Sequence, residues 1–127
     1  MHRLFFTFAA SLGFLAVALG AFGAHGLKSR LASLADGADR LAWWKTAAEY
    51  HLTHALALAL AAGLLGDTRL GRAACVAFAL GIALFSGSLY TMTLTGIRWL
   101  GAVTPIGGLA MLVGWALLGV AAFRRAG

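Results

Sequence analysis

Four stretches of roughly 20 mostly apolar residues, at about 4–24, 43–65, 73–94 and 104–123, follow one another along this 127-residue chain with short polar breaks between them. A helix needs about 20 such residues to cross the roughly 30 Å hydrocarbon layer of a bilayer. A single span in lipid must also satisfy its own backbone hydrogen bonds, which a helix does. The expected fold is therefore all-α: one polytopic membrane domain over 1–127, with four transmembrane helices in an up-down bundle. Composition agrees. Hydrophobic residues make up 61% and charged residues 11%, with mean hydropathy +0.88, whereas a soluble domain carries about 25% charged residues.

The first stretch follows His2 and Arg3 and resembles a signal peptide, but its apolar run exceeds the usual 7 to 15 residues of a signal core. It reads as a retained membrane helix. Between Gly26 and Ala42, Leu27, Leu31 and Leu34 recur at helical spacing, which predicts a short amphipathic helix along the headgroups. Asp36, Gly37 and Asp39 then break it and offer a cap to the second span. Trp43, Trp44 and Lys45 at the start of that span are expected in the interface, where tryptophan concentrates. Thr104 before Pro105 predicts a capped start for the fourth span.

The formal charge is +6, but the ten Lys and Arg occur in ones and twos, as membrane-flanking charges do, and line no common face for nucleic acid. The lone cysteine, Cys75, excludes an internal disulfide and any thiolate metal cluster. With the N-terminus inside, Arg3, Arg69, Arg72, Arg124 and Arg125 are cytoplasmic. Lys28, Arg30, Arg40, Lys45 and Arg98 then lie outside. The inside set is packed directly against helix ends, which favours both termini on the cytoplasmic side.

An up-down order brings the end of span one, the start of span two, the end of span three and the start of span four to one membrane face. The polar residues there include Lys45, Thr53, Thr91, Thr93 and Thr95, and the candidate cluster among them is His25, Glu49, Tyr50, His51, His54, Ser86, Ser88, Tyr90 and Thr104. His54 lies 11 residues before Leu65, about 16 Å at 1.5 Å per residue, hence near mid-membrane. Ionisable groups at that depth usually face the bundle interior and have partners. One half of the bundle is thus expected to be polar inside and the other dry. Gly20, Gly23, Gly107, Gly108 and Gly114 are expected to let helices approach closely within the chain, and Gly26 to end the first helix.

These residues resemble a known family, the YgdD/YwdK-like small membrane proteins of bacteria, which has eukaryotic relatives. The resemblance rests on four blocks: Gly20-Ala21-Phe22-Gly23-Ala24-His25-Gly26; Tyr50-His51-Leu52-Thr53-His54-Ala55-Leu56-Ala57-Leu58; Phe85-Ser86-Gly87-Ser88-Leu89-Tyr90; and Thr104-Pro105-Ile106-Gly107-Gly108 with Gly114-Trp115. It implies a multi-spanning protein of the bacterial inner membrane and brings no reaction, substrate or cofactor. His25 and His54 match the family pattern, while the position of His51 often carries another polar residue.

Several chemistries can be weighed on the residues. His25, His51 and His54 are weak metal candidates, since His-x-x-His on a helix lacks the Glu and the spacing of the hydrolytic zinc motif. The commoner role for such a histidine is a neutral ring hydrogen-bonded across the bundle. The glycine-rich turn before His25 follows a membrane helix and has the wrong spacing for a phosphate loop. A carrier would need duplicated halves, and no nucleophile-base-orienter set of a catalytic site stands out. No cofactor is expected. The expected partners are the lipid bilayer and either the chain itself or a larger membrane complex. The expected role is a scaffold or accessory subunit, and the alternative is a protein binding a metal, haem, lipid headgroup or proton through the polar cluster.

Overall fold

A computed structural model describes residues 2–127. Four long helices follow in order: α1, His2–Leu31; α2, Gly37–Leu65; α3, Arg69–Thr95; and α4, Thr104–Ala126. Among the described residues there is no strand. The four predicted segments lie within these helices. By length and hydropathy three stretches can cross a membrane: α1, α3 and Arg98–Ala126, which contains α4. Helix α2 is long enough at 29 residues, but Lys45, Glu49, His51 and His54 dilute its apolar character.

Consecutive helices pack antiparallel, α1 on α2, α2 on α3 and α3 on α4, while α2 meets α4 more sparsely. The α1–α2 register is read from its glycines. Gly20 faces Ala48, Gly23 faces the Trp44 indole, and Gly63 faces Phe6. Away from the polar end, Ala57, Leu58, Ala61, Ala62, Ala74, Phe78, Leu118 and Ala121 form the largest apolar core, with Ala9 of α1 at its edge. Lipid tails are as apolar as these side chains, so close van der Waals contact holds such a core together. Gly107 makes one contact possible, because any Cβ there would collide with the Phe85 backbone of α3. At Gly114 a Cβ would lie 2.7 Å from the Phe78 ring, whereas Gly108 and Gly20 meet their neighbours at ordinary distances.

Two helices contain a π turn, Gly23–Leu27 in α1 and Ile82–Ser86 in α3. The first one changes the reading of the connection. The predicted interfacial helix is not separate: α1 continues through the π turn to Leu31, and Gly26 does not end it. Up to the turn, Ala9, Ala16 and Gly23 face α2 at intervals of seven. Beyond it, Leu27 and Leu31 are buried against Trp44, where an unbroken α-helix would present Arg30. A π turn takes up an extra residue, and here it brings the leucines round. Leu34 is exposed in the following turn.

Two predicted caps are also replaced. Asp36 occupies the N-cap of α2 without a side-chain capping bond, because its carboxylate is engaged by Arg40 Nε at 3.0 Å and Arg98 at 3.8 Å. Val103, and not Thr104, is the N-cap of α4. The Thr104 hydroxyl is 2.6 Å from Ser88 Oγ instead. Thr68 does cap α3, accepting from Gly71 N–H at 2.9 Å, and Gly96 ends α3 in the left-handed conformation at φ 73°, which suits a residue without Cβ.

Candidate functional site: a polar seam around helix α2

Seen from α2, most of the buried polar groups at this end reach across to another helix. Trp44 Nε1–H donates to the Leu19 carbonyl of α1 at 2.7 Å. The Ser86 hydroxyl of α3 donates to the Ala47 carbonyl at 2.7 Å, and the Thr93 hydroxyl to the Arg40 carbonyl at 3.0 Å. Ser86 donates to α2 alone, while Thr93 also reaches the Leu89 carbonyl of its own helix at 2.9 Å, so sliding α3 along α2 would leave the Ser86 donor unpaired in a dry interior. Ser88 and Thr104 tie α3 to the start of α4.

The two central histidines differ in how fully they are partnered. His54 is 5% exposed; its Nε2 accepts from Trp115 Nε1–H of α4 at 3.2 Å, and its Nδ1 lies 2.8 Å from the Tyr50 carbonyl. An indole N–H only donates and a carbonyl only accepts. The bonds therefore specify one neutral tautomer, with the proton on Nδ1. His51 is 3% exposed and its Nδ1 lies 3.0 Å from Tyr90 Oη. Its Nε2 is buried without a hydrogen-bond partner among the described residues. Tyr90 in turn packs against Trp44, the rings tilted by 59° with centroids 4.5 Å apart.

Two predicted members stand elsewhere. His25 is exposed on the π turn of α1, and Glu49 is exposed on the outer side of α2. The polar end of the chain therefore does not converge as a whole. Helical phase separates Glu49 from His51 and His54, and His25 sits where α1 re-phases. Among the described residues no three His, Cys, Asp or Glu side chains come together to hold a metal ion, so the triad of His25, His51 and His54 is not assembled. Tyr50 is half-exposed, its ring stacked between His54 at 5.8 Å and Phe85 at 4.4 Å. These rings and Trp115 line a lateral cavity of about 580 Å³ between α2 and α4.

The sequence left the contacts of three members of the seam unassigned. Trp44 is 3% exposed, its indole packed inside the bundle against α1; the small residues Gly20 and Gly23 on α1, which leave room for an indole, were the available sign. Trp43 instead packs under the Arg98 guanidinium, 5.1 Å from its centroid. Trp115 stood only in the Gly114-Trp115 block, with nothing to mark it as a histidine partner, and Thr93 lies among Thr91 and Thr95 with nothing to tell which of the three turns inward. At the mouth of the bundle, the hydrogen bond from Arg40 holds the Asp36 carboxyl below the ordinary carboxylate value.

The family described as "Protein of unknown function (DUF423)" matches residues 19–108, which include the whole seam except Trp115. The UPF0382 inner membrane protein YgdD of Escherichia coli (strain K12) is 44% identical over 125 residues, covering 96% of this chain and 91% of its own length. The UPF0382 membrane protein YwdK of Bacillus subtilis (strain 168) is 42% identical over 126 residues, covering 96% and 98%. A third relative, the UPF0382 membrane protein SAB0533 of Staphylococcus aureus, is 40% identical over 127 residues, covering 98% and 99%. No solved structure matches. The bacterial relatives' near full-length coverage, added to the match through the seam, establishes the chain as a membrane protein of the DUF423 family.

Proposed function

We propose that this chain is a four-span interaction protein of the bacterial inner membrane, a scaffold or accessory subunit that associates with itself or docks on a larger membrane complex. In this reading α2 crosses the bilayer with the other three helices, and both termini are cytoplasmic. The seam of His51, His54, Ser86, Ser88, Tyr90 and Thr104 sets how the helices pack. One observation supports it above the rest: the polar atoms of His54, Ser86, Ser88 and Thr104 are already used within the chain. Polar groups spent on helix contacts hold a shape, and the chain's outer faces are what it offers to others. Native mass spectrometry of protein extracted gently from its own membrane tests this. The expected spectrum contains more than one chain per particle, and a bare monomer overturns the proposal.

A second reading is favoured by the lateral cavity, whose size suits a small ligand. Here Tyr50 and His54 would face a lipid headgroup, haem or other small molecule. Filling the cavity with Leu112→Trp should then abolish a co-purifying mass while the fold persists. An unchanged spectrum counts against this reading.

A further inference from the structure

Helix α2 has polar residues on two faces, and only the inner one is satisfied. On the outer face Ala42, Lys45, Glu49, Leu52 and Leu56 follow one another at alternate steps of three and four residues, and all five are exposed. Neither Lys45 nor Glu49 has an ion-pair or hydrogen-bond partner among the described residues. Thr53 beside them is also bare. The other exposed Ser and Thr hydroxyls within the helices, Thr7, Ser11, Ser29, Thr91 and Thr95, each donate to a carbonyl three or four residues back, and Thr53 has no such bond.

Depth makes this face unusual. The apolar run of α1 ends at Ala24, which the Gly23–Trp44 and Gly20–Ala48 contacts place level with about Trp44. Glu49 is five residues further in, about 7 Å at 1.5 Å per residue. Ionisable groups within a span usually turn inward or pair with one another, and an unpartnered carboxylate facing acyl chains does neither.

We infer that the outer face of α2 is the contact between two copies of this chain, paired side by side about a two-fold axis along the membrane normal. The inference rests on the self-association reading above and names its surface. Steps of three and four residues are the seam of a left-handed helix pair. In a parallel pair each seam residue meets its own counterpart, and Glu49 of each copy also lies one turn from Lys45 of the other, so opposite charges alternate along the seam and bracket one another across it. An antiparallel pair centred near His54 would set Lys45 opposite Gly63 and leave Glu49 beside Ala59, with no such match. The two Thr53 hydroxyls come to the same seam just below the charges.

Disulfide cross-linking of the full chain in its own membranes tests this. With Cys75→Ala removing the native thiol, single substitutions Ala42→Cys and Leu56→Cys are each expected to give a covalent dimer on mild oxidation. Phe14→Cys on α1 and Leu112→Cys on α4, both exposed, are expected to give none. Glu49→Lys should cut the Leu56→Cys dimer about tenfold, as a loss of 1.4 kcal/mol would, and the exchange Lys45→Glu with Glu49→Lys should restore it. That restoration separates a broken contact from a failed fold. Cross-linking at Leu56 without Ala42, or a yield indifferent to Glu49→Lys, overturns the parallel charged pair. Dimers only through Phe14 or Leu112 overturn this surface while self-association stands, and no dimer anywhere, with a monomer mass, overturns both.

Discussion

In the half of the bundle nearest Leu65, helices α2, α3 and α4 meet through Ala57, Ala61, Ala74, Phe78 and Ala121, and inside it the side-chain heteroatom contact between helices is the weak approach of Cys75 Sγ to the Leu58 carbonyl at 3.9 Å. At the outer rim the exposed Arg125 guanidinium of α4 reaches the Leu64 carbonyl and Asp67. In the half nearest Thr95 the same helices are joined by Ser86, Thr93, His54 and the Ser88–Thr104 pair. The dry half depends on shape, since lipid offers its side chains an equally apolar environment. The polar half depends on direction, because each hydroxyl or ring nitrogen accepts only one geometry well. Shape keeps the helices close, and direction keeps them in register.

Four measurements can break or sharpen that contrast, each read as the change in unfolding free energy or midpoint of the protein in detergent. The largest effect belongs to Gly107→Leu, which forces α4 off the Phe85 backbone and should cost about 3 kcal/mol or more. Phe78→Ala removes a fully buried ring from the dry half. Because the transfer part of the loss is small in an apolar surrounding, the packing part remains, about 2 kcal/mol. His54→Leu leaves the Trp115 N–H without its acceptor and should cost about 1 kcal/mol, of which Trp115→Phe in the same chain recovers part. Should His54→Leu prove costlier than Phe78→Ala, direction would outweigh shape even for cohesion.

The smallest effect is a pH dependence at the mouth of the bundle. Arg40 holds the Asp36 carboxyl below its ordinary value of 3.8, so the folded chain binds that proton less readily than the unfolded one. The stability this supplies is complete above 3.8 and is lost as the pH falls through the lower folded value. Arg40→Gln should flatten that part of the curve, and an unaltered curve would remove Asp36 from the contrast.

The number and order of the helices were legible because long apolar runs and short polar turns leave few alternatives. The seam was legible in part. His51, His54, Ser86, Ser88, Tyr90 and Thr104 meet as topology requires, but topology assigns a residue to an end of the bundle and not to a side of its helix. In a soluble protein the polar stripe would mark the outside. Here Leu56 and Leu60 face out while Leu58 is buried, all equally apolar, so Glu49 and His51, two residues apart, could not be told outer from inner. The π turn at Gly23–Leu27 made His25 harder still, since regular spacing fails across it.

That turn lets α1 join two stretches written in different frames. Ala9, Ala16 and Gly23 belong to one, Leu27 and Leu31 to the other, and the slack of a single residue lets α2 read both from the same side. The consequence is a sensitivity to length and not to composition: adding one residue between Gly23 and Leu27 would leave every contact-forming side chain present in the chain, yet would swing the Arg30 guanidinium toward the Trp44 indole and carry the leucines away from it. Removing one would instead let the turn close as regular helix, with Leu31 seven residues after Gly23.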